Sequence, residues 1–142
     1  MIDILVGKAE YRGELRNGVP HGKGTITFEN GSVYSGDWED GQMHGQGVFY
    51  WGHGSYLAGE WKGNEANGYG TLGTSTGQSY IGQWRKDRFH GEGIFFLPEG
   101  YRYIGGFKDG LFHGEGTMTL PDGEVLSGKW RKDRFRGRRR RG

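Results

Sequence analysis

Apolar and polar side chains alternate one for one along much of this chain. Tyr34, Gly36 and Trp38 are interleaved with Ser35, Asp37 and Glu39. Successive side chains of an extended strand point to opposite faces, so a period of two predicts a β-strand with one apolar face. Gly47, Phe49 and Trp51 keep a second such phase further on and predict a second strand. The glycine-rich stretch 41–45 between them predicts a turn.

The pattern returns every 23 residues. Glycine stands at Gly13, Gly36, Gly59, Gly82, Gly105 and Gly128. Two residues later comes Leu15, Trp38, Trp61, Trp84, Phe107 or Trp130, and two earlier Tyr11, Tyr34, Leu57, Tyr80, Tyr103 or Leu126. Counting from the tyrosine, position fourteen is glycine (Gly24, Gly47, Gly70, Gly93, Gly116) and position sixteen apolar (Ile26, Phe49, Leu72, Phe95, Met118). A fixed period in this range marks one supersecondary unit copied and stacked, each copy burying its apolar face on its neighbours. The copies are 11–33, 34–56, 57–79, 80–102, 103–125 and a partial 126–137. Residues 1–10 are expected to add a cap strand through Ile2 and Ile4, and 138–142 form a basic tail.

Five-residue connections closing the copies carry Asn30-Gly31, Gly54, Gly77, Gly100 or Asp122-Gly123. Glycine after Asn or Asp is a hairpin signal because such turns need positive φ. Short connections make neighbouring strands antiparallel. The expected fold is all-β: an elongated, single-layer antiparallel meander of stacked β-hairpins, lengthening by roughly 10 Å per copy to about 55 Å. Side-chain size suggests the register. Pairing position five with fourteen, three with sixteen and one with eighteen sets each tryptophan beside a glycine and each position-three glycine beside a large residue, so that Trp84 should neighbour Gly70 or Gly93.

Composition narrows the function. Glycine supplies 31 residues and mean hydropathy is −0.81, a balance typical of disorder, yet the glycines are periodic and aromatics reach 15%. Cysteine is absent, which excludes disulfides and thiolate metal sites and fits a reducing compartment. Met1 to Glu10 carries Asp3 and is too short for a signal peptide or a membrane span, so a soluble, cytoplasmic protein is expected. The net charge of +2 hides an asymmetry, since residues 131–142 carry +7 and residues 1–130 therefore −5.

Candidate chemistry is sparse. His21, His44, His90 and His113 recur one per copy, so they should lie roughly 10 Å or more apart, whereas zinc holds its ligands at about 2 Å; they read as turn residues. His21-Gly-Lys-Gly24-Thr25 lacks the second glycine and the helix of a phosphate loop. Glu14, Asp37 and Glu60 fall on the polar strand face and read as solvated. Neither a catalytic constellation nor a cofactor or metal site emerges, and an enzyme is not expected.

Tyr34-x-Gly-x-Trp38-x-x-Gly41-x-x-His44-Gly45-x-Gly47 resembles the MORN repeat (membrane occupation and recognition nexus), and Tyr80 to Gly93 and Tyr103 to Gly116 resemble it again. The third copy departs from the motif at Leu57, Asn64 and Asn67, and the sixth at Arg136, which suggests a groove irregular at its middle and end. The resemblance implies a scaffold, in cytoskeletal or ciliary structures, at membranes with anionic phospholipids, or as an accessory region of a larger enzyme. A one-layer sheet leaves apolar surface uncovered, and such surface marks binding sites. The expected groove comprises Tyr34, Trp38, Trp61, Tyr80, Trp84, Tyr103, Phe107 and Trp130, facing a helix or extended peptide of a protein partner. Self-association as a homodimer would serve the same end. Arg131, Lys132, Arg134, Arg136, Arg138, Arg139, Arg140 and Arg141 are the candidates for contact with an anionic lipid surface, auxiliary at about 1 kcal/mol per residue. The acidic body argues against a nucleic-acid partner.

Overall fold

The computed structural model describes residues 2–137, and no helix occurs among them. Strand β1 (Ile2–Val6) precedes six hairpins. These are β2 (Ala9–Arg16) with β3 (Val19–Thr27), β4 (Val33–Glu39) with β5 (Gln42–Gly52), and β6 (Ser55–Lys62) with β7 (Glu65–Gly73). Next come β8 (Ser79–Arg85) with β9 (Arg88–Phe96), β10 (Arg102–Lys108) with β11 (Leu111–Thr119), and β12 (Val125–Arg131) with β13 (Arg134–Phe135). All thirteen pair in sequence order into one open antiparallel sheet. The all-β meander of hairpins expected from the alternation is the fold of this chain.

The expected register is wrong by two residues. Glycines at positions three and fourteen face each other, as in Gly36 with Gly47 and Gly82 with Gly93. Tyrosine faces position sixteen (Tyr34 with Phe49, Tyr80 with Phe95), and tryptophan faces position ten across a bulge (Trp38 with Met43, Trp84 with Phe89). Rings do cover glycines, but diagonally. The ring of Tyr34 lies across Gly47 and that of Tyr80 across Gly93, so that a Cβ at either glycine would come within 2.5 Å of a ring carbon. Trp84 likewise neighbours Gly70 without pairing with it, its Nε1 being 3.0 Å from the site of an added Cβ.

The bulge explains residues that looked merely solvated. The tyrosine hydroxyl donates to the carbonyl of position four: Tyr34 to Asp37 at 2.9 Å, Tyr80 to Gln83 at 2.7 Å, Tyr103 to Gly106 at 2.8 Å. The side chain at position four accepts a backbone N–H from the facing strand, Asp37 from Gln46 at 2.8 Å, Gln83 from Glu92 at 2.8 Å, and Glu60 from Tyr69. Glu14, Asp37 and Glu60 therefore satisfy donors that the bulge frees from the ladder.

The turns are tighter than expected. Asp40 and Gly41, with φ of 50° and 82°, form a two-residue turn whose twist matches the flanking strands. The second strand thus begins at position nine, and His44 and Gly45 belong to it. Five-residue connections do join most copies, but β5 runs on to Gly52 and only His53 and Gly54 lead into β6. Each turn after the first is also tied to the copy before it. Asn64 N–H donates to Met43 O while Asn64 Oδ1 accepts from Met43 N–H, and Asp87 does the same with Ala66, as Asp133 does with Phe112.

Candidate partner-binding groove

All eight rings expected to line the groove belong to one cluster, and all are buried within the single chain. Tyr34, Tyr80 and Tyr103 have no exposed surface, and Trp38, Trp61, Trp84, Phe107 and Trp130 have at most 6%. They form the floor. The layer above them comes from positions ten and sixteen, where Phe89 stacks on Tyr80 at 3.9 Å and Phe112 on Tyr103 at 4.1 Å between ring centres. Partly buried Met43, Phe49, Phe89, Phe95 and Phe112, with Trp51 at 47% exposure, are the surface another molecule would meet. Position ten was the unread signal, being Pro20, Met43, Ala66, Phe89, Phe112 and Phe135 in successive copies.

Edge-to-face contacts join the floor into two ladders. The first runs from Tyr11 through Trp38 and Tyr34 to Trp61, with ring centres 5.2–5.4 Å apart. The second runs from Trp84 through Tyr80, Phe107 and Tyr103 to Trp130 at 5.1–5.3 Å. Trp61 and Trp84 do not meet because Leu57 holds the tyrosine position between them. Ala66 and Leu72 are also smaller than Phe89 and Phe95, their counterparts in the next copy. The result is a pocket of about 520 Å³ in the middle of the groove, bounded by Phe49, Trp51, Leu57, Trp61, Leu72 and Trp84, with Asn64 and Asp87 at one side.

The indoles register the same gap. Trp38, Trp61 and Trp130 each donate Nε1–H to a glycine carbonyl fourteen residues earlier (Gly24, Gly47, Gly116) at 3.0 Å. Trp84 Nε1 is buried with no partner among the described residues. Where a tyrosine ring covers Gly47 and Gly93, the indole of Trp84 has settled onto Gly70 instead.

Titratable groups here serve packing. Burial raises the phenols of Tyr11, Tyr34 and Tyr80, and lifts that of Tyr103 to about 12. A hydrogen bond from Lys23 holds the Asp37 carboxyl below its ordinary range. His21 Nδ1 accepts from Asp40 N–H at 3.3 Å, and His44 lies 2.8 Å from Glu39. Among the described residues no group of His, Cys, Asp or Glu could hold a metal ion, and no helix is long and apolar enough to cross a membrane.

The basic candidates split. Arg131, Lys132, Arg134 and Arg136 are exposed at and just after the sixth hairpin turn. Arg138, Arg139, Arg140 and Arg141 lie outside the described residues. The fourth turn, on the same long edge of the sheet, adds exposed Arg85, Lys86 and Arg88, so the fourth and sixth turns are basic while Lys108 at the fifth is balanced by Asp109.

Among known families, the MORN repeat matches the chain at residues 11–33, 34–56, 58–79, 80–100 and 103–125. No curated protein matches it.

Proposed function

The chain belongs to the MORN-repeat family, a repeat module of scaffold and membrane-binding proteins, and from that premise we propose that it is a non-catalytic scaffold whose groove takes up a helix or extended segment of a protein partner. One observation carries this reading: the aromatic floor is interrupted at Leu57, leaving the central pocket open to the groove. A segment laid along the groove would supply the second layer that a lone sheet lacks. A bulky apolar side chain of that segment would fill the pocket. Single desolvated anchors of this kind dominate binding energies. A cytoskeletal or ciliary assembly in the cytoplasm is the setting that fits.

Leu57→Tyr tests it. The new ring would complete the floor, its hydroxyl would reach the Glu60 carbonyl as its counterparts reach theirs, and the indole of Trp84 would be freed to bond Gly70. The variant should melt higher than wild type, yet bind peptides selected on the wild-type groove at least tenfold more weakly. Unchanged binding with the pocket filled refutes the anchor.

A second reading is favoured by the basic fourth and sixth turns on one edge, which would lie on an anionic phospholipid surface. Sedimentation with phosphoinositide vesicles separates the two. Edge binding is lost in Arg85→Glu with Arg88→Glu and weakens with salt, while groove binding is untouched.

A further inference from the structure

The face away from the groove is not polar throughout. Six consecutive strands, β5 to β10, contribute Val48, Ala58, Thr71, Ile81, Ile94 and Ile104, each directly opposite the next. They make a straight stripe across the strands. Ile81 is 50% and Ile104 44% exposed, and Tyr50, Tyr56 and Phe96 flank the stripe on one side. Its two ends are closed alike by paired hydroxyls, Thr25 with Ser35 at 2.8 Å and Thr117 with Ser127 at 2.9 Å.

We propose that this stripe is a homodimer interface, covered back to back by a second copy of the chain about a two-fold axis lying along the strands between β7 and β8. Three features select a second copy over an unrelated partner. The first is the symmetric profile of hydroxyl pair, apolar row and hydroxyl pair, which an isologous contact requires. The second is size. The axis sets Val48 over Ile104, Ala58 over Ile94 and Thr71 over Ile81, so each contact joins a smaller side chain to an isoleucine and the rows interdigitate. On the flank, Tyr56 meets Phe96 and Tyr50 meets Arg102. The third is area. Six strands at about 4.8 Å spacing and three rows of side chains cover about 500–600 Å² per copy, so the pair buries roughly 1,000–1,200 Å², at the threshold for a specific interface. Both grooves remain open on the outer faces of such a dimer. Glu60 and Glu92 approach across the rim, so salt should strengthen the association.

Sedimentation velocity of the purified chain is expected to show a reversible monomer–dimer equilibrium at concentrations up to about 100 μM. Ile81→Lys with Ile104→Lys should weaken it at least tenfold without changing the melting temperature, because both side chains are half exposed. Trp51→Lys, on the groove face, should leave it intact. The chain has no cysteine, so a short thiol-specific bifunctional cross-linker, which spans the roughly 10 Å between facing sheets, should join Thr71→Cys to Ile81→Cys chains in preference to joining either to its own kind. A chain monomeric throughout, a dimer lost in Trp51→Lys but kept in the double lysine variant, or random cross-linking would overturn the proposal. Loss of partner peptide binding in Leu57→Tyr leaves it standing, since the two faces are independent.

Discussion

Gly93→Ala and Gly70→Ala are the same change at the same position of neighbouring copies, and the structure assigns them different costs. Neither glycine has a positive φ, so alanine is free of backbone penalty at both. At Gly93 the added methyl would lie 2.5 Å from Cε1 and Cζ of Tyr80, and the ring must lift. Lifting breaks the hydroxyl bond to Gln83, about 1 kcal/mol. It loosens edge contacts with Trp84 and Phe107, about 1 kcal/mol each. Residual overpacking adds about 1 kcal/mol, against which the stiffer residue returns about 0.5–1 kcal/mol. The expected net loss is about 3 kcal/mol. At Gly70 the tyrosine is replaced by Leu57, and the nearest atoms to the methyl would be the Trp84 indole at 3.0–3.1 Å and a carbonyl at 3.3 Å. That change should fall within about 1 kcal/mol of neutral. Urea unfolding followed by tryptophan fluorescence measures both. The combination Gly93→Ala with Tyr80→Leu, which recreates the clearance of the third copy, should recover about 2 kcal/mol relative to additivity. Equal costs at the two glycines, or strict additivity with Tyr80→Leu, would refute the claim that ring over glycine sets the packing.

Other outcomes follow from the bulge and the buried phenols. Glu60→Ala should cost about 0.5–1 kcal/mol by leaving the exposed Tyr69 N–H to water, while Glu60→Gln should be nearly neutral, because Gln83 already does this work one copy later; thermal melts of both variants decide it. Phenol groups with raised folded-state pKa values lend stability that is complete below their ordinary value of 10 and is lost as pH climbs through the folded values, about 12 for Tyr103. Melting temperatures should therefore fall steadily above pH 10, and absorbance titration should show Tyr34, Tyr80 and Tyr103 ionising only with unfolding. A lowered Asp37 pKa acts at the other end, its contribution being present above the ordinary carboxylate range and lost on acidification through the folded value, a dependence that Asp37→Asn should abolish.

Periodicity made strand content, pairing order and hairpin phase legible, since Tyr34, Gly36 and Trp38 can share a face only in an extended chain. The register was not legible. Size matching looks for a glycine directly opposite a ring, whereas Tyr80 reaches its glycine by leaning along the strand, and the bulge at Gln83 shifts the pairing by two. Sequence placed Glu60 on the polar face correctly, but a backbone donor freed by a bulge leaves no trace in composition. Of the groove, the floor was readable and the surface was not. Rings crowded every 23 residues bury one another, and the accessible side chains belong to position ten, hidden inside a stretch that glycine content marked as turn. The isoleucines of the opposite face stood in plain view beside Tyr80 and Tyr103, masked by the polar residues that fill their position in the first two copies.

Reciprocal bonding between the third, fourth and sixth hairpin turns and the copies before them, as between Asn64 and Met43 or Asp87 and Ala66, has an evolutionary corollary. Whole units can be duplicated or excised, because the new neighbour offers the same donor and acceptor at the same offset. A one-residue slip anywhere between two tips leaves both unmatched. Genes of this kind should therefore drift in length by entire modules while remaining intolerant of small insertions within them.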